Sequence, residues 1–286
     1  MVDQPTFVSF LSDLGTTDES VGVCKGVIWS IAPDARILDV AHDLPPFDVR
    51  AASLALVRAI QYLPDGIVVA VVDPTVGTLR RAIAVEIEDS VLLGPDNGLL
   101  APAVALMGGA QRVISLDAEE YHLEAPGHTF AARDVFAAAA GHLASGVALD
   151  ALGSQADPDT LTPGIIPVSE TKDDRVTGSV WFVDRYGNAQ LNVDPAELVA
   201  LGAAPGSTVE VHMGDTVRMA RWVPSFAEAR PSELSIVVDG AGLVVLALDR
   251  GNAAAEFGLE DGLTVTLIPP PRRGASIPVR AETEDA

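Results

Sequence analysis

The chain has 286 residues, 48% of them hydrophobic, with 25 glycines and 20 prolines; that composition excludes a disordered chain and predicts two unequal globular domains rich in turns. A formal net charge of −22 excludes a nucleic-acid partner, because binding to that backbone relies on Lys and Arg neutralising phosphates. The single cysteine, Cys24, excludes an internal disulfide and a cysteine-based zinc site and is expected to be a buried small hydrophobe.

The opening segment from Met1 to Asp13 lacks a basic stretch followed by a long apolar one, and no run approaches the roughly 20 apolar residues of a membrane span. A cytoplasmic protein with no membrane attachment is expected. The apolar run Thr6 to Leu11 predicts a strand, Ser12-Asp13-Leu14-Gly15 a loop, and Glu19 to Ala32 a helix. A strand at Ile37 to Val40 precedes a loop rich in His, Asp and Pro (His42 to Asp48) and a helix from Val49 to Tyr62. The β-branched run from Gly66 to Val72 has the pattern of a strand buried on both faces. Further strands are expected at Ala82 to Ile87, Val91 to Gly94 and Arg112 to Leu116, with helices near Leu99 to Met107 and Ala132 to Leu143. The alternation predicts an α/β domain over residues 1–154 with a mainly parallel central sheet.

Turn-forming residues then dominate, from Asp157-Pro158 through Thr162-Pro163-Gly164 to Pro167, and residues 155–167 are read as a linker. Short strands follow at Gly178 to Val183, Thr208 to Met213, Leu234 to Val238, Leu243 to Leu248 and Leu263 to Leu267. Residues 168–269 are therefore expected to form a smaller all-β barrel domain. Residues 270–286, opening with consecutive prolines and ending in charged residues, read as a disordered tail.

No Walker or GxGxxG loop stands at a strand-to-helix junction, so a bound nucleotide would not be gripped through phosphates. In an open α/β sheet ligands collect beyond the carboxyl ends of the strands, and three loops there are informative. In Asp13 to Ser20, Thr17 or Asp18 suffices as a helix cap with Glu19 complementing the dipole, which leaves Asp13 without a structural task. A carboxylate at that place is suited to accept hydrogen bonds from two ribose hydroxyls. In the second loop, Asp73-Pro74-Thr75-Val76-Gly77-Thr78-Leu79-Arg80, Gly77 permits a tight reversal that brings Asp73 and Arg80 together, either as a plain salt bridge or as a catalytic pair. In the third, Asp96 or Asn97 caps the helix that follows.

In the second half, Asp184 to Asn192 and Asp249 to Ala254 both place Gly beside Asn at a strand end. That combination reads as a turn, and Asn side chains also match the edge of an adenine. No histidine pair has metal-ligand spacing, and no metal site is expected. No GxSxG elbow is present to support a serine nucleophile.

Taken in order, Phe10 to Asp18, Cys24-Lys-Gly26, Pro45 to Arg50, Asp73 to Thr78, Pro95 to Leu100, Thr129 to Asp134, Tyr186-Gly-Asn188 and Gly251-Asn-Ala253 resemble the motifs of the SAM hydroxide adenosyltransferase family, related to the fluorinase and chlorinase. The resemblance spans roughly residues 6 to 260. It implies hydrolysis of S-adenosyl-L-methionine (SAM) to adenosine and methionine, with no cofactor, in a homotrimer whose sites lie between subunits. It also implies that Asp13 holds the ribose hydroxyls, with Asp18 and Ser20 close by. Asp184 and Asn188 would face the methionine part, Tyr186 and Phe226 would supply walls, and Asn252 with the backbone of Ala253 would read adenine.

Halide-using members carry a tyrosine at the position matching Asp73, and the fluorinase has an additional loop after that region which this chain lacks. An aspartate repels a halide but orients and polarises water, so water is the expected nucleophile, attacking the ribose C5′ in line with the departing sulfonium. Methionine leaves as a neutral thioether and needs no general acid. Asp73 and Arg80 are the expected catalytic residues. The hydrolytic members complete an Asp, Arg, His triad with a histidine where this chain has Ala131; His128, three positions earlier, is its candidate replacement. The absent histidine leaves a chlorinase-like enzyme and a catalytically silent SAM- or adenosine-binding protein as alternative readings.

Overall fold

The computed structural model describes residues 6–270, and the chain divides between Ile166 and Pro167 into two compact units. Residues 271–286 of the expected tail lie outside the described residues. The first unit runs β1 (Phe7–Ser12), α1 (Ser20–Ile31), β2 (Arg36–Ala41), α2 (Val49–Ile60), β3 (Gly66–Val71), β4 (Ala82–Ile87), β5 (Ser90–Pro95), α3 (Ala101–Leu106), β6 (Arg112–Ser115), a π-helical segment (Ala132–Ala137) continuing as α4 (Ala138–Ala144), and β7 (Ser154–Ala156). Its seven strands form one sheet in the order β2-β1-β3-β5-β4-β6-β7. The four strands β2, β1, β3 and β5 are parallel neighbours, and β4, β6 and β7 extend the sheet with antiparallel pairings.

Strand periodicity divides the side chains of β3 between two cores. Ile67, Val69 and Val71 pack with Val21, Cys24 and Ile28 of α1 and with Phe136, whereas Val68 and Ala70 pack with Ala52 and Leu56 of α2. Helices on both faces explain why this strand has no polar side. The chain leaves β1 for β2 on one side and returns to β3 on the other, so the β1–β3 boundary is a topological switch point, where a ligand crevice opens beyond the strand ends. In the register of that pair Ser12 faces Val71. Asp13 and Asp73 therefore follow the carboxyl ends of neighbouring strands.

Cys24 is fully buried, and burial pushes its thiol up to about 12. A protonated, enclosed thiol is a poor nucleophile. Native protein at pH 8 is accordingly expected to resist a disulfide-exchange reagent such as DTNB and to label fully only in denaturant; rapid stoichiometric labelling of the folded chain would contradict this burial.

The residues read as a linker are bonded into the first unit. Ser154–Ala156 pairs with β6, the Thr160 hydroxyl and carbonyl accept hydrogen bonds from Arg81 at 3.0 and 2.7 Å, and Thr162 N–H donates to Asp96 at 2.8 Å.

The second unit comprises β8 (Glu170–Lys172), β9 (Arg175–Val183), β10 (Ala189–Leu191), α5 (Pro195–Ala200), β11 (Thr208–Met213), β12 (Thr216–Trp222), β13 (Ser235–Val238), β14 (Val244–Ala247), α6 (Ala253–Phe257) and β15 (Thr264–Ile268). Pairing runs β10-β14-β13-β12-β11-β15-β9, and β9 pairs back to β10, which closes a seven-stranded barrel with β8 added outside on β9. Alternate residues of β9, β11 and β15, among them Val176, Val180, Val209, Val211, Val265 and Leu267, fill the interior. Both expected fold classes are present. In this unit five elements go beyond the expected set: β8, β10, β12, α5 and α6.

Candidate active site

The carboxyl edge of the first sheet gathers the loops after β1, β2, β3, β5 and β6. The β1 and β2 loops are fastened together at several points. Gly15 N–H donates to the His42 carbonyl at 2.7 Å, Thr16 donates through its amide and hydroxyl to Asp43, and Asp13 Oδ2 accepts the Phe47 N–H at 2.9 Å. Phe47 has φ +66°, a conformation rare for a bulky side chain, and its ring is 72% exposed. Asp13 is thus held with its second oxygen uncommitted among the described residues.

His42 is buried and belongs to this scaffold. Its Nε2 lies 3.1 Å from Asp39, and its Nδ1 lies 2.8 Å from the hydroxyl of the fully buried Ser12. Asp39 is also ion-paired with Lys25 at 2.6 Å. With Nε2–H donating to the carboxylate, Nδ1 accepts from Ser12.

At the start of α1, Asp18 Oδ1 accepts the Ser20 N–H at 2.9 Å, and the Ser20 hydrogen bonds hold the Asp18 carboxyl below the usual range. The helix cap position is Glu19, which makes no side-chain cap bond.

The β3 loop returns on itself as expected. Gly77 at φ +80° makes the reversal, and Arg80 reaches Asp73 Oδ2 through Nε at 2.7 Å and also through Nη2. Asp73 Oδ1 accepts both the amide and the hydroxyl of Thr75, at 3.2 and 3.1 Å. The two side chains are 5% and 13% exposed. Arg80 lies over the ring of Phe136 at 5.6 Å, which seats the pair on the π-helical segment. Such π-bulges occur frequently at functional sites.

Asn97 does not cap α3. Its amide donates to the Val72 carbonyl at 2.9 Å and its Oδ1 accepts from Leu99 N–H, so it ties the end of β5 to the residue preceding Asp73. Asp96 is likewise occupied, by Arg81 and Thr162. Neither role was foreseen from sequence, because a tie across two strands leaves no local spacing signal.

His128 is exposed and makes no hydrogen bond among the described residues. The stretch before Ala131 is loop and Ala131 itself opens the π-helical segment, so the alternation of a regular strand does not separate the two side chains. Both line one cavity of about 630 Å³ with Asp117, His122 and Asp134. The His128 carbonyl oxygen lies 3.4 Å from where a Cβ on Gly77 would stand, which places the two loops side by side.

In the barrel unit, Asp184 organises the β9–β10 turn. Its Oδ1 accepts the N–H groups of Tyr186 and Asn188 at 2.8 and 2.9 Å, and its Oδ2 accepts the Asn188 amide at 2.8 Å. Asn188 Oδ1 accepts no hydrogen bond among the described residues. A cavity of about 900 Å³ is lined by Asp184, Tyr186, Asn188, Phe226, Asp249 and Asn252. Tyr186 and Phe226 are 72% and 48% exposed, whereas Ala253 is fully buried. Asn252 Oδ1 caps α6 by accepting the Ala255 N–H at 2.7 Å. Oδ1 keeps a second lone pair and the amide nitrogen donates to nothing among the described residues, so the side chain retains both an acceptor and a donor.

Family models describing the N- and C-terminal domains of SAM hydroxide adenosyltransferases match residues 8–153 and 178–266. The chain belongs to the SAM hydroxide adenosyltransferase family. It is similar to a protein of Salinispora tropica named (R)-S-adenosyl-L-methionine hydrolase, at 38% identity over 260 residues, covering 90% of this chain and 95% of the relative. A Thermus thermophilus protein of the same name is 39% identical over 269 residues, covering 91% and 99%. Proteins named fluorinase match at lower identity. Among solved structures, an uncharacterized conserved protein from Thermotoga maritima superposes with a TM-score of 0.84 at 31% identity, covering 91% of this chain and 99% of that one. Both halves of the SAM hydroxide adenosyltransferase architecture are thus present, each with its own cavity or loop cluster.

Among the described residues no helix is long and apolar enough to cross a membrane, and no group of three or more His, Cys, Asp or Glu side chains is arranged to hold a metal ion.

Proposed function

We propose that the protein hydrolyses SAM to adenosine and L-methionine, by in-line attack of water on the ribose C5′. The observation that carries this reading is the enclosed Asp73–Arg80 pair immediately after β3, one strand from Asp13 at the switch point. The relatives named as hydrolases agree with it. A carboxylate at this place suits a water nucleophile and opposes a halide.

In this reading Asp13 accepts the ribose hydroxyls through its open oxygen, with Asp18 and Ser20 at the rim. Tyr186 and Phe226 are the walls of the barrel half-site, Asp184 and Asn188 take the methionine part, and the Asn252 amide with the Ala253 backbone takes adenine. His128, which lines a cavity with Ala131 and whose loop runs beside Gly77, is the proposed third polar group of the catalytic end. The two half-sites are completed across subunits of a homotrimer, which would cover Leu79, Phe47 and Tyr186, exposed in the single chain by 103%, 72% and 72%. The setting is cytoplasmic, and the reaction uses no cofactor.

Purified protein with SAM in EDTA-containing buffer made up in H₂¹⁸O is expected to release methionine and adenosine carrying the label in its 5′-hydroxyl. Adenosine formation no faster than the uncatalysed background would sink the proposal. A 5′-chloro product on adding chloride would transfer the assignment to a halide-using enzyme.

A further inference from the structure

Asp73 is unable to receive the nucleophilic water directly in the conformation it adopts. A carboxylate offers about four lone-pair sites, and here four donors occupy them: the Thr75 amide and hydroxyl on Oδ1, and Arg80 Nε and Nη2 on Oδ2. The acceptor capacity that remains in the cluster belongs to Thr75. Its hydroxyl has one proton, which it gives to Asp73 Oδ1 at 3.1 Å, and two lone pairs, which accept nothing among the described residues. Its side chain is exposed. The neighbouring hydroxyl of Thr78 is committed differently, donating to the Thr75 carbonyl at 2.7 Å and accepting the Arg80 N–H at 3.4 Å. Thr75 is the one hydroxyl of the loop backed by the carboxylate and open in front.

We propose that Thr75 is a catalytic residue of this site, accepting a hydrogen bond from the attacking water and relaying its proton to Asp73. The assignment rests on the SAM hydrolase reading and adds a residue to it. As the water oxygen bonds to C5′, the C5′–S bond breaks with its electron pair remaining on sulfur, which gives the neutral thioether of methionine. The proton shed by the oxygen passes to Thr75 Oγ1 while the Thr75 proton crosses to Asp73 Oδ1, and Asp73 returns it to solvent after the products leave. Arg80 Nη1, which bonds to nothing among the described residues, adds positive charge beside the cluster. Asp73 thereby acts at one remove, with its geometry undisturbed by the reaction until the proton arrives.

The test compares wild type, Thr75→Val and Thr75→Ser in steady-state hydrolysis of SAM from pH 7 to 10. Valine keeps the shape and removes the relay, so kcat is expected to fall by about 10²-fold at pH 7 with KM changed less than threefold. Bulk hydroxide then substitutes for the relay, and the deficit of Thr75→Val is expected to shrink as pH rises. Serine, which keeps the hydroxyl, is expected to retain at least about a third of the activity. Full activity of Thr75→Val overturns the assignment. So does an equal loss in both variants that is constant with pH, which would mark a structural role only. Wild-type turnover is read separately, so failure of the hydrolase reading and failure of Thr75 appear in different arms.

Discussion

Exchange of Asp73 for asparagine is expected to lower kcat for SAM hydrolysis by roughly 10²–10⁴-fold and to destabilise the first unit at the same time. The reason lies in what the asparagine would face. Its Oδ1 keeps the Thr75 bonds, but its Nδ2 points a donor at the donors Nε and Nη2 of Arg80, which now bind Oδ2. A guanidinium 13% exposed is left without a counter-charge, and breaking a buried ion pair in this way costs about 3–5 kcal/mol.

Removal of the other partner, Arg80→Met, strands the 5% exposed carboxylate and is expected to cost a similar amount. The double variant should then be less destabilised than the sum of the two, because neither charge is left alone. Denaturant unfolding of the four proteins measures the coupling. Strict additivity, or wild-type kcat in Asp73→Asn, would show that the pair neither holds the loop nor serves the reaction.

The second large effect is expected in the barrel. Gly187 has φ +83°, and a Cβ built there would lie 2.1 Å from Asn252 Oδ1 and 2.2 Å from its Cγ. Gly187→Ala therefore cannot be accommodated by a small rotation. It displaces Asn252, removes the cap that the Ala255 N–H finds on Asn252, and strains the bond from Ala254 N–H to the Gly187 carbonyl at 2.9 Å. Backbone strain and the lost cap together are expected to cost the second unit about 2–4 kcal/mol. Since the same two turns line the 900 Å³ cavity, SAM affinity measured by calorimetry is expected to weaken by about tenfold or more, the equivalent of about 1.4 kcal/mol, while the chemical step in single-turnover experiments changes little. Unchanged affinity in a folded Gly187→Ala protein would remove this cavity from the substrate site.

Much of this arrangement is legible in the amino-acid order because it is local. The run from Gly66 to Val71 declares a strand covered on both sides, and Gly77 with the spacing of Asp73 and Arg80 declares a loop that closes on itself. What escapes the sequence is relational. The tie from Asn97 to Val72 joins residues 25 positions apart, and the Ser12–His42 contact spans 30. Neither spacing has a pattern of its own.

The missed barrel elements have local causes too. In β12 Val217 and Met219 are exposed at 45% and 54%, so apolar side chains on the outer face blur the alternation that marks a half-buried strand. The helix α6 is only five residues long, bounded by the Asn252 cap and by left-handed Gly258. For α5 a readable signal did exist: Asp194 and Glu197 form a capping box with Pro195 at the first turn.

The pairing of Ser12 with Val71 across β1 and β3 has a consequence for how such a site changes over time. The proposed ribose anchor and the proposed water-holding loop ride on adjacent strands, so their separation is set by the sheet's own repeat of about 4.8 Å between chains and not by the loops. In the proposed site, replacing the residue at position 73 would alter which nucleophile is welcome without moving the strand that carries it relative to β1. The sheet serves as a fixed ruler between the two strand tips that carry Asp13 and Asp73.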